Sequence, residues 1–329
     1  MTSMKKRILS GMRPTGKLHL GHLAGALKNW VEMQDKYDCL YMVADYHALM
    51  SEYENPSAMK DNIIDNVADF IACGVDPEKS VIFVQSDVPE HLELYMILSA
   101  ITPLSWLERC PTYKEQLREV EGRDLTTYAF LGYPVLQAAD ILIYKANAVP
   151  VGEDQLPHLE LTREIARRFR FLYKKEIFPE PEGILTQTPR LLGIDNRKMS
   201  KSYGNAINLS DSPDEIKKKI MTMVTDPERI KKLDPGHPDI CNVFSYYKFF
   251  FPSLSEALAK DCRAAKIGCV EDKGKLAECI IELLRPIQER RDRLLKDKPV
   301  LEAILKKGAE KARTVAQGTI KEVKKAVGI

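Results

Sequence analysis

An alternation of short apolar runs with helical segments limits the folds open to this chain. Three runs of strand length lie at Arg7–Ser10, Leu40–Val43 and Val81–Gln85. Between them, apolar side chains recur three and four residues apart from Leu23 to Val31, and residues 56–73 form a second helical stretch closed by a glycine. Strands that alternate with helices favour a parallel sheet, because each crossover helix carries the chain back to the start of the next strand. The sequence therefore predicts an α/β fold.

The later part of the chain changes character near residue 210. Gln137–Tyr144 is an apolar helical segment interrupted by a single acid, and Val149–Val151 is typical of another buried strand. Residues 172–196 are rich in proline and glycine and predict an irregular connection. From Ser212 onward the pattern predicts helices without strands. We therefore expect an α/β body at 1–210, followed by an all-helical C-terminal part.

Composition restricts the class of protein. The chain of 329 residues is 44% hydrophobic and 29% charged, and it has no apolar run of about 18 residues that would span a membrane. The polar N-terminal residues lack a signal-peptide core, so we expect a cytoplasmic protein whose seven cysteines are mostly reduced. The net charge is +2, but Arg285–Ile329 holds 13 lysines and arginines against 6 acids, a balance of +7 that leaves −5 for the rest. This stretch could steer a polyanion, although charge alone favours a solvated helix surface.

The first motif that points to chemistry is His19-Leu20-Gly21-His22, which follows a Pro14-Thr15-Gly16 loop at the end of the first predicted strand. Ligands of open parallel sheets bind at the carboxyl ends of strands, where helix N-termini attract phosphate. A glycine there lets a flat base or ribose approach, and two imidazoles can donate hydrogen bonds to phosphate oxygens. Taken alone, the motif is equally compatible with two surface histidines beside a turn.

The second motif is Lys198-Met199-Ser200-Lys201-Ser202. Two lysines and two hydroxyls on a short loop can surround a triphosphate, where the lysines neutralise charge on the leaving pyrophosphate. Such a loop can close when ATP binds. Taken alone, it is more often a solvated basic turn.

Together, the two motifs resemble the HIGH and KMSKS signatures of the class I aminoacyl-tRNA synthetases. Further segments resemble the tryptophanyl branch of that family, and they are Ser10–Gly16, Val43–Ala48, Tyr133–Leu142, Val149–Gln155 and Leu161–Ala166. The resemblance covers nearly the whole chain and is densest over 8–205. It implies a Rossmann-like nucleotide-binding sheet that activates tryptophan with ATP and Mg²⁺ and transfers it to tRNA(Trp). The reaction needs no protein nucleophile, because the protein positions the reactants and stabilises charge.

The resemblance also implies roles for particular residues. The implied catalytic residues are His19, His22, Lys114, Lys198 and Lys201. The implied ATP-binding residues are Arg13, Pro14, Thr15, Gly21, His22, Gly152, Glu153, Asp154, Lys198, Met199, Ser200, Lys201 and Ser202. The implied tryptophan-binding residues are Asp140, Gln137, Tyr133, Gln155, Asp45 and His47.

Among these, Asp140 is implied to accept the indole N–H. A carboxylate in an apolar helix is costly unless it is paired, and a site that hydrogen-bonds its substrate rejects analogues without the donor. A capping or salt-bridged role for Asp140 is the alternative. Gln137 stands where methionine is common in the family, a departure that leaves Asp140 in register. Lys114 is equally compatible with a surface lysine.

Domain roles follow from the same resemblance. Residues 80–135 would hold a dimer-forming insertion of the catalytic domain 1–210, which makes the protein a homodimer. Residues 211–300 would form the helical domain that binds the anticodon. Residues 301–329 would form a C-terminal helix that returns to the catalytic domain.

Three late cysteines, Cys241, Cys262 and Cys269, lie in the helical part. Some tryptophanyl enzymes bind a 4Fe–4S cluster with four cysteines here, but the fourth position in this chain is Asp272. Three interpretations stay open: no metal, a 4Fe–4S cluster, or zinc held by three thiolates and a carboxylate. We favour the metal-free one, because buried cysteines are usually core residues.

Three other functions compete with this interpretation. A tyrosyl enzyme shares the fold and both signatures, but a phenol needs two hydroxyl partners and an indole needs one acceptor. Small nucleotidyltransferases with an H-x-G-H motif are commonly shorter and lack a late helical domain. A non-catalytic, tRNA-binding paralogue is disfavoured by the intact His19, His22, Lys198 and Lys201.

Overall fold

The computed structural model describes residues 5–111, 113–114, 125–185, 191–199, 203–231 and 233–329. By its internal contacts the chain divides into two compact units. The sheet unit comprises Met1–Thr15, Trp30–Thr186 and Asp297–Ile329, and the helical unit comprises Gly16–Asn29 and Gln187–Lys296. The predicted division into functional domains at residues 210 and 300 stays a prediction.

Five parallel strands form one sheet in the order β3-β2-β1-β4-β5. Their bounds are Arg7–Met12 (β1), Asp38–Val43 (β2), Ser80–Val84 (β3), Ala148–Val151 (β4) and Glu182–Leu185 (β5). The predicted α/β fold with a parallel sheet is confirmed. The sequence pattern missed β5, because this partly exposed edge strand is only four residues long and lies in a segment rich in proline and glycine.

Helices make up most of the remaining described chain. Their bounds are Leu20–His22 (α1), Lys28–Met33 (α2), Asp45–Glu52 (α3), Met59–Ala72 (α4), Glu90–Ile101 (α5), Leu104–Glu108 (α6), Tyr128–Ile143 (α7), Leu156–Tyr173 (α8), Pro213–Met221 (α9), Asn242–Phe250 (α10), Pro252–Arg263 (α11), Cys269–Lys296 (α12) and Lys298–Val327 (α13). A π-helical turn, Leu23–Leu27, joins α1 to α2. The helix that carries Asp140 begins at Tyr128, well before the predicted start. Its interior Pro134 removes one backbone donor, but the flanking side chains are buried, and their packing holds the helix together.

The core of the sheet unit lies between the strands and the helices that cover them. Ile8 of β1, Tyr41 of β2 and Phe83 of β3 are fully buried. Helix α13 packs against β3, and Gly308 makes the approach close: a Cβ on Gly308 would lie 1.8 Å from the backbone oxygen of Ile82. Only glycine permits this contact between helix and strand.

In the helical unit, α9 opens with a capping box. The Ser212 hydroxyl accepts from the backbone N–H of Glu215, whose carboxylate accepts from the backbone N–H of Ser212. Helix α9 packs against α12, and the Gln288 amide donates to the carbonyl oxygens of Leu209 and Asp211 at 2.8 and 2.9 Å. These bonds anchor the segment that follows the second signature. Within the described chain, no helix combines the length and the hydropathy needed to cross a membrane.

Candidate active site

A cavity of about 330 Å³ opens beside the carboxyl ends of β1 and β4 in the sheet unit. The chain crosses from one side of the sheet to the other between these two strands, because β2 and β3 lie beyond β1, and β5 lies beyond β4. Such a switch point leaves a crevice, which is where open α/β sheets bind their ligands. Ser10 and Gly11 of β1, and Val149 and Val151 of β4, line it.

Asp140 is the buried acid of this cavity, with 2% of its surface exposed. Its carboxylate accepts from His47 Nε2 at 2.8 Å and from His91 Nδ1 at 2.7 Å. The Gln85 amide donates to both carboxylate oxygens, at 2.9 and 3.0 Å. His91 is bonded on its other side to Tyr144, whose hydroxyl oxygen lies 2.7 Å from the His91 Nε2. Four elements, α3, α5, α7 and the turn after β3, therefore hold one carboxylate in place.

These partners decide the charge of Asp140. Burial by itself would raise the pKa of the Asp140 carboxyl, but the charges and hydrogen bonds of His91 and His47 outweigh burial and hold the pKa below its usual range. The carboxylate is therefore ionised at neutral pH. A carboxylate offers about four lone-pair positions, and the four bonds from His47, His91 and Gln85 occupy them, so an indole N–H would have to replace or share one of these bonds. Asp140 is thus paired within the protein, as the salt-bridged alternative has it, and its role in binding the indole stays a prediction.

Four further polar residues line the cavity along α7 and at the start of α8. Tyr133 and Gln137 precede Asp140 by seven and three residues, so all three lie on one face of α7. Gln155 borders the start of α8, and His158 lies one turn into it. Arg13 and His47 complete the polar lining.

The structure thus gathers most of the residues predicted to bind tryptophan. Asp45 is not among the cavity-lining residues. Instead its buried carboxylate accepts from the backbone N–H groups of Tyr46 and Ser86, each at 3.0 Å, and so orders the ends of two loops. Sequence reasoning missed His158 and His91. No local pattern marks His91, whereas His158 follows Gln155 by one helical turn and the predicted helix could have pointed to it.

The residues predicted to bind adenosine and ribose lie just after the carboxyl ends of β1 and β4. The Thr15 N–H donates to the Arg13 carbonyl at 2.9 Å and closes a turn after β1. After β4, the Gln155 N–H donates to the Gly152 carbonyl at 3.0 Å. A Cβ on Gly152 would lie 2.7 Å from the Asp154 carboxylate, so glycine leaves space for that side chain. Lys114 is exposed.

The first signature forms the start of α1 in the helical unit. His19 is the N-cap: its Nδ1 accepts from the Gly21 N–H, and the Nδ1 of His22 accepts from the His19 N–H, both at 3.1 Å. A nitrogen that accepts a hydrogen bond carries no hydrogen, so each neutral ring carries its hydrogen on Nε2. Both imidazoles are thereby fixed as Nε2–H donors. A Cβ on Gly21 would lie 2.9 Å from the His19 ring, so glycine is required here for the ring's position.

The two signatures meet within the helical unit. The Leu20 N–H donates to the Ile207 carbonyl and the Leu209 N–H to the Leu18 carbonyl, both at 2.9 Å. These bonds pair the first signature with the segment just after the second. The sulfur of Met199 lies 3.4 Å from the position of a Cβ on Gly21.

Of the second signature, Lys198 is exposed and Met199 buried, and Ser200, Lys201 and Ser202 lie outside the described residues. Asn205 joins the two ends of its loop: the side-chain amide donates to Asp195 Oδ1 at 2.7 Å and to the Lys198 carbonyl at 3.1 Å.

The family whose model is described as tRNA synthetases class I (W and Y) matches residues 2–285. This chain belongs to that family. The tryptophan–tRNA ligase of Thermotoga maritima is 53% identical over 326 residues, which cover 98% of this chain and 99% of that protein. The enzyme of the same name from Aquifex aeolicus is 45% identical, covering 98% of this chain and 100% of its own.

A solved structure extends the likeness to three dimensions. The crystal structure of tryptophanyl-tRNA synthetase from Campylobacter jejuni, complexed with ADP and tryptophan, matches with a TM-score of 0.89 at 36% identity. The match covers 98% of this chain and 100% of that one. The family predicted from the two signatures is confirmed.

Two of the late cysteines of this class I synthetase, Cys262 and Cys269, lie beside one arginine in the helical unit. Arg229 Nη1 lies 3.8 Å from the sulfur of Cys262 and 4.0 Å from that of Cys269. Burial raises the pKa of the Cys262 thiol, and the positive charge of Arg229 partly opposes this. Burial likewise raises the pKa of the Asp272 carboxyl. Cys262 and Cys269 therefore share Arg229 as a neighbour.

A second group in this synthetase has the residue types of a metal site. Ligand atoms of Asp226, Glu228 and His237 lie within 4.8 Å of one another. However, Asp226 already accepts from the backbone N–H and the Nδ1 of His237, at 2.7 and 2.9 Å, and from the Glu228 N–H at 2.9 Å. These bonds close a loop and account for the group.

Proposed function

We propose that this chain is a tryptophan–tRNA ligase, which forms tryptophanyl-adenylate and pyrophosphate from tryptophan and ATP and then charges tRNA(Trp). The observation that carries the choice of tryptophan is Asp140, an ionised carboxylate held at the wall of an apolar cavity at the switch point of the sheet. An indole offers one N–H, and an ionised carboxylate that borders the cavity is a strong acceptor for it once one of the protein donors gives up its bond. Relatives with this activity cover nearly the whole chain.

The first half-reaction transfers an adenylyl group. An oxygen of the tryptophan carboxylate attacks the α-phosphorus of ATP, and the bond to the bridging oxygen breaks as pyrophosphate leaves with its electron pair. No side chain forms a bond to the substrate. We infer that the Nε2–H groups of His19 and His22 donate to phosphate oxygens as their charge increases, as the fixed tautomers allow. Lys198 and Lys201 are proposed to stabilise the leaving pyrophosphate.

The other predicted roles belong to the same proposal. Arg13, Pro14 and Thr15 border the adenosine, and Gly152, Glu153 and Asp154 lie beside the ribose. Magnesium accompanies ATP and reduces the charge repulsion of the triphosphate. Lys114 is proposed to reach the phosphates of ATP. A cytoplasmic location fits a role in translation.

Tryptophan-dependent ATP–pyrophosphate exchange by the purified chain tests this function. We expect exchange with tryptophan and none with tyrosine at the same concentration, followed by transfer of labelled tryptophan to tRNA(Trp). Exchange with tyrosine would support the tyrosyl alternative. Absence of exchange with either amino acid would support the non-catalytic paralogue.

We also propose that the protein is a homodimer through residues 80–135. Exposed apolar side chains in or beside α5, α6 and the start of α7 support this surface: Met96 is 66% exposed and Tyr128 74%, and Leu92 and Leu104 are exposed too. Large exposed apolar residues that cluster indicate an interface. Sedimentation equilibrium should give a dimer that Met96→Asp dissociates, whereas Ile230→Asp, at an exposed site of the helical unit, leaves it intact. A monomeric wild type would contradict the proposal.

The basic stretch Arg285–Ile329 is proposed to contact tRNA, together with the helical domain 211–300. Phosphate contacts by lysine and arginine dominate the affinity of proteins for nucleic acid. Replacing the exposed Arg293 and Lys296 with glutamate should raise the KM for tRNA about tenfold at low salt and leave amino-acid exchange unchanged. The same reversal at the exposed Lys60 of α4, which lies outside both segments, is the control. A change in exchange alone would contradict a tRNA contact.

For the late cysteines we propose a metal-free cluster. Asp272 replaces the fourth thiolate of a 4Fe–4S site, and Arg229 supplies a hydrogen-bond donor to the sulfurs of Cys262 and Cys269. Protein purified without oxygen should therefore lack iron, acid-labile sulfide and zinc. Stoichiometric iron with sulfide would indicate a 4Fe–4S cluster with an aspartate ligand, and stoichiometric zinc a mononuclear site.

A further inference from the structure

His158 is a buried imidazole at the wall of the tryptophan cavity, and the reaction described above assigns it no role. Only 2% of its surface is exposed. Its Nε2 lies 2.8 Å from the hydroxyl oxygen of Tyr133, and the two rings are stacked with centroids 5.3 Å apart. Phe130 packs against Tyr133 at 5.3 Å between ring centroids. Tyr133 is therefore fixed in position by two aromatic neighbours and one hydrogen bond.

Both partners are neutral at physiological pH. Burial lowers the pKa of the His158 imidazole to about 4, and burial raises the pKa of the Tyr133 phenol above its usual range. Each group therefore carries one hydrogen on its polar atoms. Either the tyrosine hydroxyl donates to Nε2, or the Nε2–H donates to the hydroxyl oxygen. In the first arrangement the Tyr133 oxygen can only accept a hydrogen bond from the cavity, and in the second its hydrogen can donate one to the cavity.

The position of Tyr133 along α7 indicates which end of the ligand it faces. Tyr133 precedes Asp140 by seven residues on the same face, an axial separation of about 10 Å. Tyr133 and Gln155 line the same cavity as Asp140, so with the indole N–H at Asp140 we infer that the amino-acid end of tryptophan faces them. The α-ammonium has three donors and no acceptor, so it requires an oxygen whose hydrogen points elsewhere.

We propose that His158 is a positioning residue that accepts the Tyr133 hydroxyl hydrogen and thereby turns the tyrosine oxygen towards the α-ammonium of tryptophan. The inference rests on the proposed function and adds the recognition of the amino group to it. With the hydrogen directed at Nε2, the lone pairs of Tyr133 are available to a cation. Without an acceptor at this place, the hydroxyl hydrogen is free to rotate into the cavity, where it opposes the ammonium.

A merely structural role for His158 predicts a different pattern. If the ring only fills space beside Tyr133, its replacement weakens every ligand of the cavity to the same degree. If it orients the hydroxyl, replacement weakens ligands that carry the ammonium and spares those without it. Tryptophan and indole-3-propionate form such a pair, because they share the indole and the carboxylate and differ in the amino group.

The test measures the binding of both ligands to the full chain by calorimetry. His158→Leu removes the acceptor, and we expect a loss of about tenfold in tryptophan affinity and a change of less than about twofold for indole-3-propionate. His158→Gln can place an amide oxygen near the position of Nε2, and it should restore most of the tryptophan affinity. In exchange assays, His158→Leu should raise the KM for tryptophan and leave kcat nearly unchanged.

Two further variants isolate the hydrogen bond. Tyr133→Phe should reproduce the selective loss, and adding His158→Leu to it should cost little more, because the two residues act through one bond. Cys110→Ala is the packing control: its sulfur lies 4.0 Å from His158 Nε2, and we expect no change in the preference for the ammonium.

Equal losses for the two ligands in His158→Leu would overturn the proposal, as would an undiminished affinity for tryptophan. If His158→Leu fails to fold, His158→Gln and Tyr133→Phe decide in its place: unchanged tryptophan affinity in Tyr133→Phe would exclude the oriented hydroxyl. Failure of the proposed function would differ, because the unmodified chain would then neither bind tryptophan nor support exchange.

Discussion

Replacing Asp140 with asparagine tests the indole site, because the two side chains have the same shape. The carboxylate accepts from His47, His91 and Gln85 and borders the cavity. An asparagine has a single acceptor oxygen, and its amide group would bring two hydrogens among groups that all donate. The variant therefore disturbs both the buried network and the binding of the indole N–H.

The expected magnitude follows from the bonds that change. A hydrogen bond to a charged group contributes about 1.5–3 kcal/mol, so losing the indole bond should weaken tryptophan by about 10- to 100-fold. In the variant, about two of the groups that donate to the Asp140 carboxylate also lose their acceptor in the interior of the sheet unit. Each buried polar group left without a partner lowers the free energy of unfolding by about 1–3 kcal/mol. We expect the free energy of unfolding to fall by about 3 kcal/mol.

The assay compares tryptophan with its benzothiophene analogue, in which sulfur replaces the indole N–H. Tryptophan should be preferred by the unmodified chain in ATP–pyrophosphate exchange, and Asp140→Asn should lose most of that preference. Urea unfolding measures stability in parallel, and protein that remains folded at the assay temperature is used for kinetics. His47→Gln, which retains a donor to the carboxylate, is the matched control and should keep the preference. An undiminished preference in Asp140→Asn would refute an indole bond at this residue.

Three more outcomes follow from the geometry. Gly308→Ala should lower the free energy of unfolding by about 1–3 kcal/mol, because the new Cβ would collide with the backbone of β3. Gly318→Ala in the same helix has open space around it and should raise the free energy of unfolding by about 0.5–1 kcal/mol. Equal urea midpoints for the two variants would contradict the close packing at Gly308. Gly21→Ala should slow adenylate formation about tenfold or more, because the new Cβ would displace the His19 imidazole that caps α1. Gly25→Ala is the control, because its Cβ meets no atom within 4 Å. Similar single-turnover rates for the two variants would show that the His19 imidazole takes no part in the reaction. The pKa of His158 is lowered from 6.5 to about 4 in the folded chain, so between these values the unfolded chain binds more protons and the folded state loses stability as the pH is lowered. From pH 7 down to pH 5 this loss amounts to about 2 kcal/mol. In urea unfolding over the same range, the His158→Gln variant should therefore lose about 2 kcal/mol less stability than the unmodified chain.

Local sequence patterns were enough for the central elements. The apolar runs at β1, β2 and β3 and the periodicity of α4 gave their places along the chain, because buried strands and amphipathic helices each need a characteristic spacing of apolar residues. The two signatures gave the family for a similar reason, since the residues that handle a triphosphate follow one another closely in the chain. Elements without such a pattern, such as the short edge strand β5, were not foreseen.

The sequence also placed a buried acid at position 140 without showing what surrounds it. Its partners, His47, His91 and Gln85, come from 93, 49 and 55 residues away, so no local spacing connects them to it. The ionisation of that carboxylate, and the number of acceptor positions left for a ligand, depend on those distant groups. The same is true of His158, whose neutral state depends on burial.

By itself, the amino-acid sequence determined the parallel α/β architecture, the family and the two motifs that handle the triphosphate, because each of these depends on residues that are close together in the chain. Only the tertiary structure decided the hydrogen positions on His19 and His22, the network around Asp140 and the pairing of Tyr133 with His158. The physical reason is that protonation states and hydrogen-bond directions respond to burial and to the nearest charged and polar atoms. Folding brings those atoms together from distant parts of the chain.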